Sequence, residues 1–149
     1  PECFAKRLSD NQSMLKELEE FIEADGGCYA ECGGLMLLVD SLRLLNGDEY
    51  QMSGVIPGIV SMTSRLQHFG YSEAKPTNHQ ESWRGHEFHH SKWEQESSQA
   101  NAWMVTKRNS MGSRLEGYRY RNLHASYIHL YFPTTAPLLS ELFFKKEQA

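Results

Sequence analysis

The sequence CYAECGGLM occupies residues 28–36 and joins a short apolar run to a pair of glycines. The first part of this stretch suits a buried strand, and Gly33-Gly34 ends that strand with a tight turn at Cys32. An amphipathic helix is predicted before it, over residues 11–24, and helical character returns over residues 35–45. The predicted order of helix, strand, tight turn and helix indicates an α/β fold.

The rest of the chain is predicted to form short strands separated by polar loops, with a helix at the end. Apolar residues punctuated by glycine and proline between residues 50 and 62 favour strands and turns. Further strands are predicted at residues 69–71, 83–93, 102–106, 115–120 and 127–132, with loops over residues 75–82 and 95–101. Thr134 suits the cap of a final helix that has Pro137 in its first turn.

The composition argues against several classes of protein. The chain has 149 residues, of which 40% are hydrophobic and 23% charged, as in an ordinary globular domain. A net charge of −4 without a basic run argues against nucleic-acid binding, because clustered Lys and Arg neutralise phosphates. No apolar stretch approaches the roughly 20 residues of a membrane-spanning helix. Three cysteines and the lack of a signal-peptide pattern lead us to expect a reduced, cytoplasmic setting.

Cys32 is the candidate nucleophile. A residue at a strand-to-helix turn is pushed toward solvent, and the N–H groups that follow it face whatever it attacks. The start of a helix also favours the thiolate, which is the nucleophilic form of cysteine. The alternative is a structural cysteine beside Gly33-Gly34, since free cysteines are among the most buried residues. The local pattern leaves both interpretations open.

A cysteine nucleophile needs a base, and the chain contains seven histidines. His129 is the candidate because it follows the apolar residues of a predicted strand near the end of the chain. Its side chain would face away from those of Ile128 and Leu130, toward a cleft. A structural histidine near a sheet edge is the alternative.

Residues 86–90 match the pattern H-E-x-x-H, which binds zinc when it lies on a helix. The preceding Gly85 and the surrounding aromatic residues favour a strand instead. On a strand His86 and His90 would be about 13 Å apart, at ~3.3 Å per residue, which is too far to bind one metal. We expect no metal site, with His86, Phe88 and His90 on one face of the strand and Glu87 and His89 on the other. A zinc hydrolase that uses His86 and His90 is the alternative.

Three motifs occur in a specific order: AECGGLM at residues 30–36, GHEFH at 85–89 and ASYIHL at 125–130. In this combination the chain resembles, over nearly its whole length, the glutamine amidotransferase domain of the cobyrinic acid a,c-diamide synthase family. The resemblance implies a class I, flavodoxin-like glutaminase domain that lacks its first strands. It also implies that residues 1–149 are a C-terminal fragment of a larger synthase.

The activity implied by the resemblance is hydrolysis of glutamine to glutamate and ammonia. The ammonia would pass to an ATP-dependent synthetase domain, which amidates the a and c carboxylates of a corrinoid, cobyrinic or hydrogenobyrinic acid, in cobalamin biosynthesis. No phosphate-binding loop is present, so ATP and Mg²⁺ are expected in that absent domain and no cofactor in this chain. Alternatives are amidation of another tetrapyrrole, such as nickel-sirohydrochlorin, and a non-catalytic binding module.

The resemblance also assigns roles to residues of this sequence. Cys32 corresponds to the nucleophile, His129 to its general base, and the backbone N–H of Gly33 to one donor of the oxyanion hole. His86 and Glu87 are expected near the glutamine site. Two residues after the histidine, where the usual class I triad has Glu, this chain has Tyr131. The group that orients the histidine is therefore left unidentified.

Overall fold

A computed structural model describes residues 1–78, 80–94, 100–107, 112–134 and 140. Within these residues the α-helices are Ala5–Asp10 (α1), Gln12–Glu23 (α2) and Gly33–Leu38 (α3). The strands are Cys28–Glu31 (β1), Val39–Arg43 (β2), Glu49–Gln51 (β3), Ile56–Met62 (β4), His68–Pro76 (β5), Trp83–His89 (β6), Ser91–Glu94 (β7), Trp103–Lys107 (β8), Ser113–Glu116 (β9), Tyr118–Tyr120 (β10), Leu123–Ser126 (β11) and His129–Leu130 (β12). This order makes the chain a mixed α/β protein, as its sequence predicts.

The first predicted helix is confirmed as α2, nearly at its predicted ends. The side chain of Asn11 accepts a hydrogen bond from the backbone N–H of Met14, which satisfies one of the free donors at the start of the helix. Leu15 and Ile22 point inward and are buried, whereas the intervening charged residues face solvent. Local capping and helical periodicity are therefore enough to produce this element.

The second predicted helix, over residues 35–45, is correct only in its first turn. Helix α3 ends at Leu38, and Val39–Arg43 forms strand β2 instead. β2 pairs on one side with β4, in parallel, and on the other with β3, in antiparallel orientation. The side chain of Asp40 is exposed and accepts a hydrogen bond of 2.7 Å from the backbone N–H of Gly58. Pairing with two distant strands outweighs the helical propensity of this segment.

The other predicted strands are confirmed in type, but several are divided, and of the last one, predicted at residues 127–132, only His129–Leu130 is a strand. Residues 83–93 form β6 and β7, with a break at His90, and residues 115–120 lie in β9 and β10, with a break at Gly117. The predicted loop over residues 75–82 begins later, because β5 extends to Pro76. Apart from Thr134 and Ser140, the predicted final helix lies outside the described residues. No helix among the described residues is both long enough and apolar enough to cross a membrane.

The strands form three sheets among the described residues. Their orders are β1-β11-β10, β12-β6-β5-β8-β9 and β3-β2-β4-β7. The pairs β1–β11 and β2–β4 are parallel, and the other pairs are antiparallel. Strands β11 and β12 belong to different sheets, although only Tyr127 and Ile128 separate them. This two-residue connection therefore joins the small sheet to the five-stranded one.

Two hydrophobic clusters hold the connection between β11 and β12 in place. Tyr127 belongs to the larger cluster, which includes the buried faces of α3, β2 and β4. The neighbouring residue Ile128 is fully buried in the other cluster, against Trp103 and Trp83. Because the two side chains are buried in different hydrophobic clusters, the connection has little freedom to shift.

Candidate active site

Cys32 occupies the turn between β1 and α3 that the sequence predicts. Its backbone has φ +48° and ψ −99°, in a region that L-residues seldom adopt. Such a conformation costs on the order of 1–3 kcal/mol and persists only where the surroundings impose it. The backbone N–H of Cys32 donates a 2.7 Å hydrogen bond to the carbonyl of Ser126, at the end of β11. The parallel pairing of β1 with β11 thus continues into the turn and anchors the cysteine.

The sulfur of Cys32 is partly shielded from solvent, and this determines its resting state. Burial raises the pKa of the Cys32 thiol, and the opposing effect of the backbone hydrogen bond from Gly33 is smaller. The first N–H of the helix does favour the thiolate, but desolvation outweighs this effect. A thiol that stays protonated near neutral pH needs a neighbouring base to become a nucleophile.

Because Gly33 has no side chain, Pro1 can lie close against the turn that carries Cys32. A Cβ atom built on Gly33 would lie 2.8 Å from Cδ of Pro1, which is closer than real side chains allow. A side chain at position 33 would displace Pro1 from its position against the turn. The N–H of Gly33 is the donor that follows Cys32 directly, in the position expected of an oxyanion-hole donor.

His129 lies in β12, which the pairing with β6 brings beside the five-stranded sheet. It is the direct partner of His86, and the two rings stack with centroids 5.0 Å apart and planes 17° from parallel. Nδ1 of His129 lies 3.4 Å from Oε2 of Glu31, the residue immediately before Cys32. The structure therefore brings the predicted base and one predicted substrate residue together, and links the base to the strand that carries the cysteine.

The carboxylate of Glu31 is a functional candidate that sequence reasoning missed. Besides facing His129, it accepts two hydrogen bonds of 2.8 Å at Oε1, from the hydroxyl of Tyr29 and from the backbone N–H of Leu130. Its position beside His129 makes it a candidate for the acid that orients this histidine. The signal was present in the motif AECGG, where a carboxylate stands directly beside the candidate nucleophile.

A second buried carboxylate holds the connection that leads to His129. Oε2 of Glu116 accepts a 2.7 Å hydrogen bond from the hydroxyl of Ser126, and Oε1 accepts one of 2.8 Å from the backbone N–H of Tyr127. The Ser126 hydroxyl oxygen in turn accepts a hydrogen bond from the backbone N–H of Ile128. Burial raises the pKa of Glu116 to about 7. These hydrogen bonds fix the path of the chain between the anchor of Cys32 and the base.

The first four residues of the H-E-x-x-H segment lie on strand β6, as predicted from its aromatic neighbours, and His90 follows the end of that strand. His86, Phe88 and His90 are exposed on one side, and Glu87 and His89 are buried on the other. Among the described residues there is no group of three or more His, Cys, Asp or Glu side chains that could hold a metal ion. The strand geometry does not support the zinc-hydrolase alternative, because it separates His86 from His90 as calculated for an extended chain.

Glu87 therefore lies on the opposite side of β6 from His86 and His129. Its buried carboxylate forms an ion pair with Arg114, and its second oxygen is 3.8 Å from Nδ1 of His68. The two residues predicted near the substrate are thus separated by the sheet, and only His86 contacts the predicted base.

A cavity of about 230 Å³ opens on the side of the sheet that carries Glu87. Its polar lining combines the cationic Lys92 and Arg114 and the carboxyl of Glu116 with uncharged groups, which include Gln67, Ser91 and Tyr127. The hydroxyl of Ser91 donates to that of Tyr127 at 3.0 Å and lies 3.8 Å from the sulfur of Met36. Met36 belongs to the first turn of α3, and its N–H bonds the carbonyl of Cys32. One wall of the cavity is therefore next to the cysteine-bearing turn.

Comparison with known proteins shows the family to which this site belongs. Residues 1–137 match the model of the CobB/CobQ-like glutamine amidotransferase domain. The chain is also similar to proteins named cobyrinate a,c-diamide synthase. It is 44% identical over 137 residues to that of Caldanaerobacter subterraneus, and 40% identical over 153 residues to that of Listeria innocua. It is 38% identical over 142 residues to that of Limosilactobacillus reuteri.

These alignments cover 87%, 96% and 89% of this chain, but only 30%, 33% and 31% of the respective relatives. The chain thus spans about a third of the length of the curated relatives it matches. The family model covers nearly all of the chain, including both the cysteine-bearing turn and strand β12. The chain belongs to the CobB/CobQ-like glutamine amidotransferase domain family.

Proposed function

We propose that this chain hydrolyses glutamine and supplies the ammonia to a carbon–nitrogen ligase reaction. The observation that carries the proposal is the joint placement of residues 31 and 32. Cys32 stands at a strained strand-to-helix turn, and the adjacent carboxylate of Glu31 lies 3.4 Å from the ring of His129. A nucleophile, a base and an acid that orients the base are the parts that acyl transfer by cysteine requires.

In the proposed reaction Nε2 of His129 accepts the proton of the Cys32 thiol while the sulfur attacks the side-chain amide carbon of glutamine. The N–H of Gly33 donates to the oxygen of the tetrahedral intermediate, where negative charge develops. The imidazolium then protonates the departing nitrogen, so that ammonia leaves and a γ-glutamyl thioester remains. Water attacks the thioester with the same histidine as base, which releases glutamate and restores the thiol.

Glu31 has the role of a positioning residue in this scheme. Its contact with Nδ1 favours the tautomer of His129 that has the proton on Nδ1 and leaves Nε2 free to accept the thiol proton. The hydrogen bonds from Tyr29 and from the N–H of Leu130 hold the carboxylate at this angle. The cost of keeping a carboxylate partly buried is offset by these charge-assisted bonds.

The polar cavity that Ser91 and Tyr127 line, on the side of β6 opposite the ring of His129, is the proposed site for the amino-acid end of glutamine. Arg114 and Lys92 supply positive charge for an α-carboxylate, and Gln67 and Ser91 supply neutral hydrogen-bonding groups. In this arrangement Glu87 serves the site indirectly, because its ion pair with Arg114 holds the guanidinium against the cavity.

The activity of the longer protein is proposed from the names of the relatives, each of which is a cobyrinate a,c-diamide synthase. Residues 1–149 would be the glutaminase part, with a class I, flavodoxin-like fold that lacks its first strands. The rest of the synthase would bind ATP and Mg²⁺ and amidate the a and c carboxylates of a corrinoid. Such a reaction is expected in the cytoplasm.

The proposal is tested by replacing the nucleophile in the longer synthase that carries this chain. Cys32→Ala is expected to abolish amidation with glutamine as the nitrogen donor and to preserve amidation with ammonium salts. Cys3→Ala, at an exposed cysteine, is the matched control and should retain both activities. Equal loss of both activities in Cys32→Ala would overturn the nucleophile assignment. Unchanged use of glutamine would instead favour a non-catalytic module, and parallel assays with cobyrinate and nickel-sirohydrochlorin identify the tetrapyrrole.

A further inference from the structure

One face of the five-stranded sheet presents aromatic rings to solvent. We call this the aromatic face and define it by Phe69 and Tyr71 of β5, His86 and Phe88 of β6, and the adjoining His90. Phe69, Tyr71 and Phe88 are 67%, 78% and 56% exposed. All five residues lie at exposed or half-exposed positions, while their neighbours along the strands point inward.

Three rings of the aromatic face are in contact, and strand register places the other two opposite each other. Phe69 is the cross-strand partner of Phe88, and Tyr71 is the partner of His86. The Phe69 and Phe88 rings meet edge to face at 6.0 Å, and Phe88 meets His90 in the same way at 5.9 Å. Register and ring contacts together show that this is a built surface rather than a set of isolated side chains.

The composition of the aromatic face is unusual for a surface exposed to water. An antiparallel sheet that is covered on one side normally alternates apolar residues inside with polar residues outside. In β5 and β6 the inward positions include Ser72 and Glu87, whereas phenyl and phenol rings point outward. Contiguous exposed apolar surface of this kind marks an interaction site.

The aromatic face continues directly into the candidate active site. His86 stacks on His129 with ring centroids 5.0 Å apart, so the proposed base lies at the border of the face. At another border Glu73 and Arg84 form a charged cross-strand pair. An apolar centre beside a charged rim is the usual composition of a protein–protein interface.

We propose that the aromatic face is the surface on which the remaining two thirds of the synthase docks. The inference rests on the proposed glutaminase function. The relatives are about three times as long as the aligned region, so in those proteins the same polypeptide supplies a large candidate partner for this surface. A partner seated on the aromatic face would cover His86 and the adjoining ring of His129, and would shield ammonia formed there from solvent.

Two other occupants are possible in principle: a second copy of this chain and residues 135–149 of the same chain. Neither explains why the aromatic face borders the residue that releases ammonia. The experiment is designed to separate these occupants from the synthase partner.

The functional test uses the longer synthase with the double substitution Phe69→Glu and Tyr71→Glu. Neither residue belongs to the proposed catalytic machinery, and both are exposed enough to accept a charge. The amide formed per glutamine hydrolysed is expected to fall at least about fivefold, while the rate of glutamine hydrolysis stays within about twofold. Leu45→Glu, at a residue 68% exposed and outside the aromatic face, is the matched control and should leave the ratio unchanged.

The occupant is identified with a photo-crosslinking amino acid at position 71 of the longer synthase. Cross-links to sequence outside residues 1–149 support the proposal, and cross-links to residues 135–149 or to a second copy overturn it. An unchanged amide-to-glutamine ratio in the double variant also overturns it. If the unsubstituted synthase hydrolyses no glutamine, the proposed function fails, and the cross-links still decide whether this surface docks.

Discussion

The carboxylate of Glu31 lies 3.4 Å from Nδ1 of His129, although 98 positions separate the two residues in the chain. Their meeting depends on the parallel pairing of β1 with β11, which places residue 31 opposite Ser126. The chain then needs only Tyr127 and Ile128 to bring the histidine alongside. Because Glu31 precedes Cys32, one strand end supplies both the proposed nucleophile and the acid that orients its base.

Replacing this acid with its neutral isostere is expected to slow glutamine hydrolysis. In Glu31→Gln the amide oxygen can still accept the N–H of Leu130, but the group facing His129 no longer carries charge. We expect kcat to fall by on the order of 10²-fold, with KM nearly unchanged, because base catalysis contributes ~10²–10⁴-fold. The measurement is steady-state glutamate release by the longer synthase.

Glu20→Gln is the control for this substitution, since Glu20 is exposed on α2 and pairs with Lys16 across one helical turn. It should leave both kinetic constants unchanged. If KM rises in Glu31→Gln while kcat stays unchanged, Glu31 contributes to glutamine binding and does not orient His129.

The buried carboxyl of Glu116 is expected to make stability depend on pH. Its folded-state pKa is raised from 4.5 to about 7, mainly by burial, with a smaller raising effect of Glu87. Hydrogen bonds from Ser126 and Tyr127 and the charge of Arg114 act in the opposite direction. A raised carboxyl pKa means that the folded state binds the proton more tightly, so this stabilisation is complete below pH 4.5 and is lost as pH rises through 7.

The measurement is the free energy of unfolding of the unsubstituted protein and of Glu116→Gln, by urea titration at several pH values. The difference between them, unsubstituted minus variant, should fall by about 3 kcal/mol between pH 4.5 and pH 8. Because the other titrating groups are the same in both proteins, their contributions cancel in this difference. A difference that is constant, or that grows with pH, would contradict the assignment.

A methyl group at Gly85 is expected to disturb the strand that carries His129. The added Cβ would lie 2.5 Å from Cγ2 of Ile128 and 2.8 Å from the carbonyl oxygen of His129. Gly85→Ala should lower the free energy of unfolding by ~1–3 kcal/mol, as overpacking does. It should also reduce kcat, because a displacement of about 1 Å at a catalytic group can cost 10²-fold in rate.

Urea titration and glutamine hydrolysis, each compared with Lys16→Ala on the exposed side of α2, check this prediction. Reduced stability with full activity would show that β12 can move without misplacing the base. Unchanged stability would show that the gap between β6 and β12 is wider than the contacts indicate.

Much of the local structure can be predicted from neighbouring residues. The cap at Asn11 and the apolar periodicity after it are sufficient for α2, because capping and helical packing act within one or two turns. The alternation of buried and exposed residues in β6 follows from the period of an extended chain. The turn at Cys32 follows from the glycines after it. The upward shift of the pKa of that thiol could not be predicted, because it results from burial by distant elements.

The sequence by itself determined the α/β class, the helix before the cysteine, the turn at Cys32 and, through three ordered motifs, the family. Only the tertiary structure decided that residues 39–43 form a strand and that Glu31 faces His129. The reason is physical: periodicity and turn preferences report interactions among near neighbours in the chain. Strand pairing brings together segments about a hundred residues apart, and no local pattern encodes which segments meet.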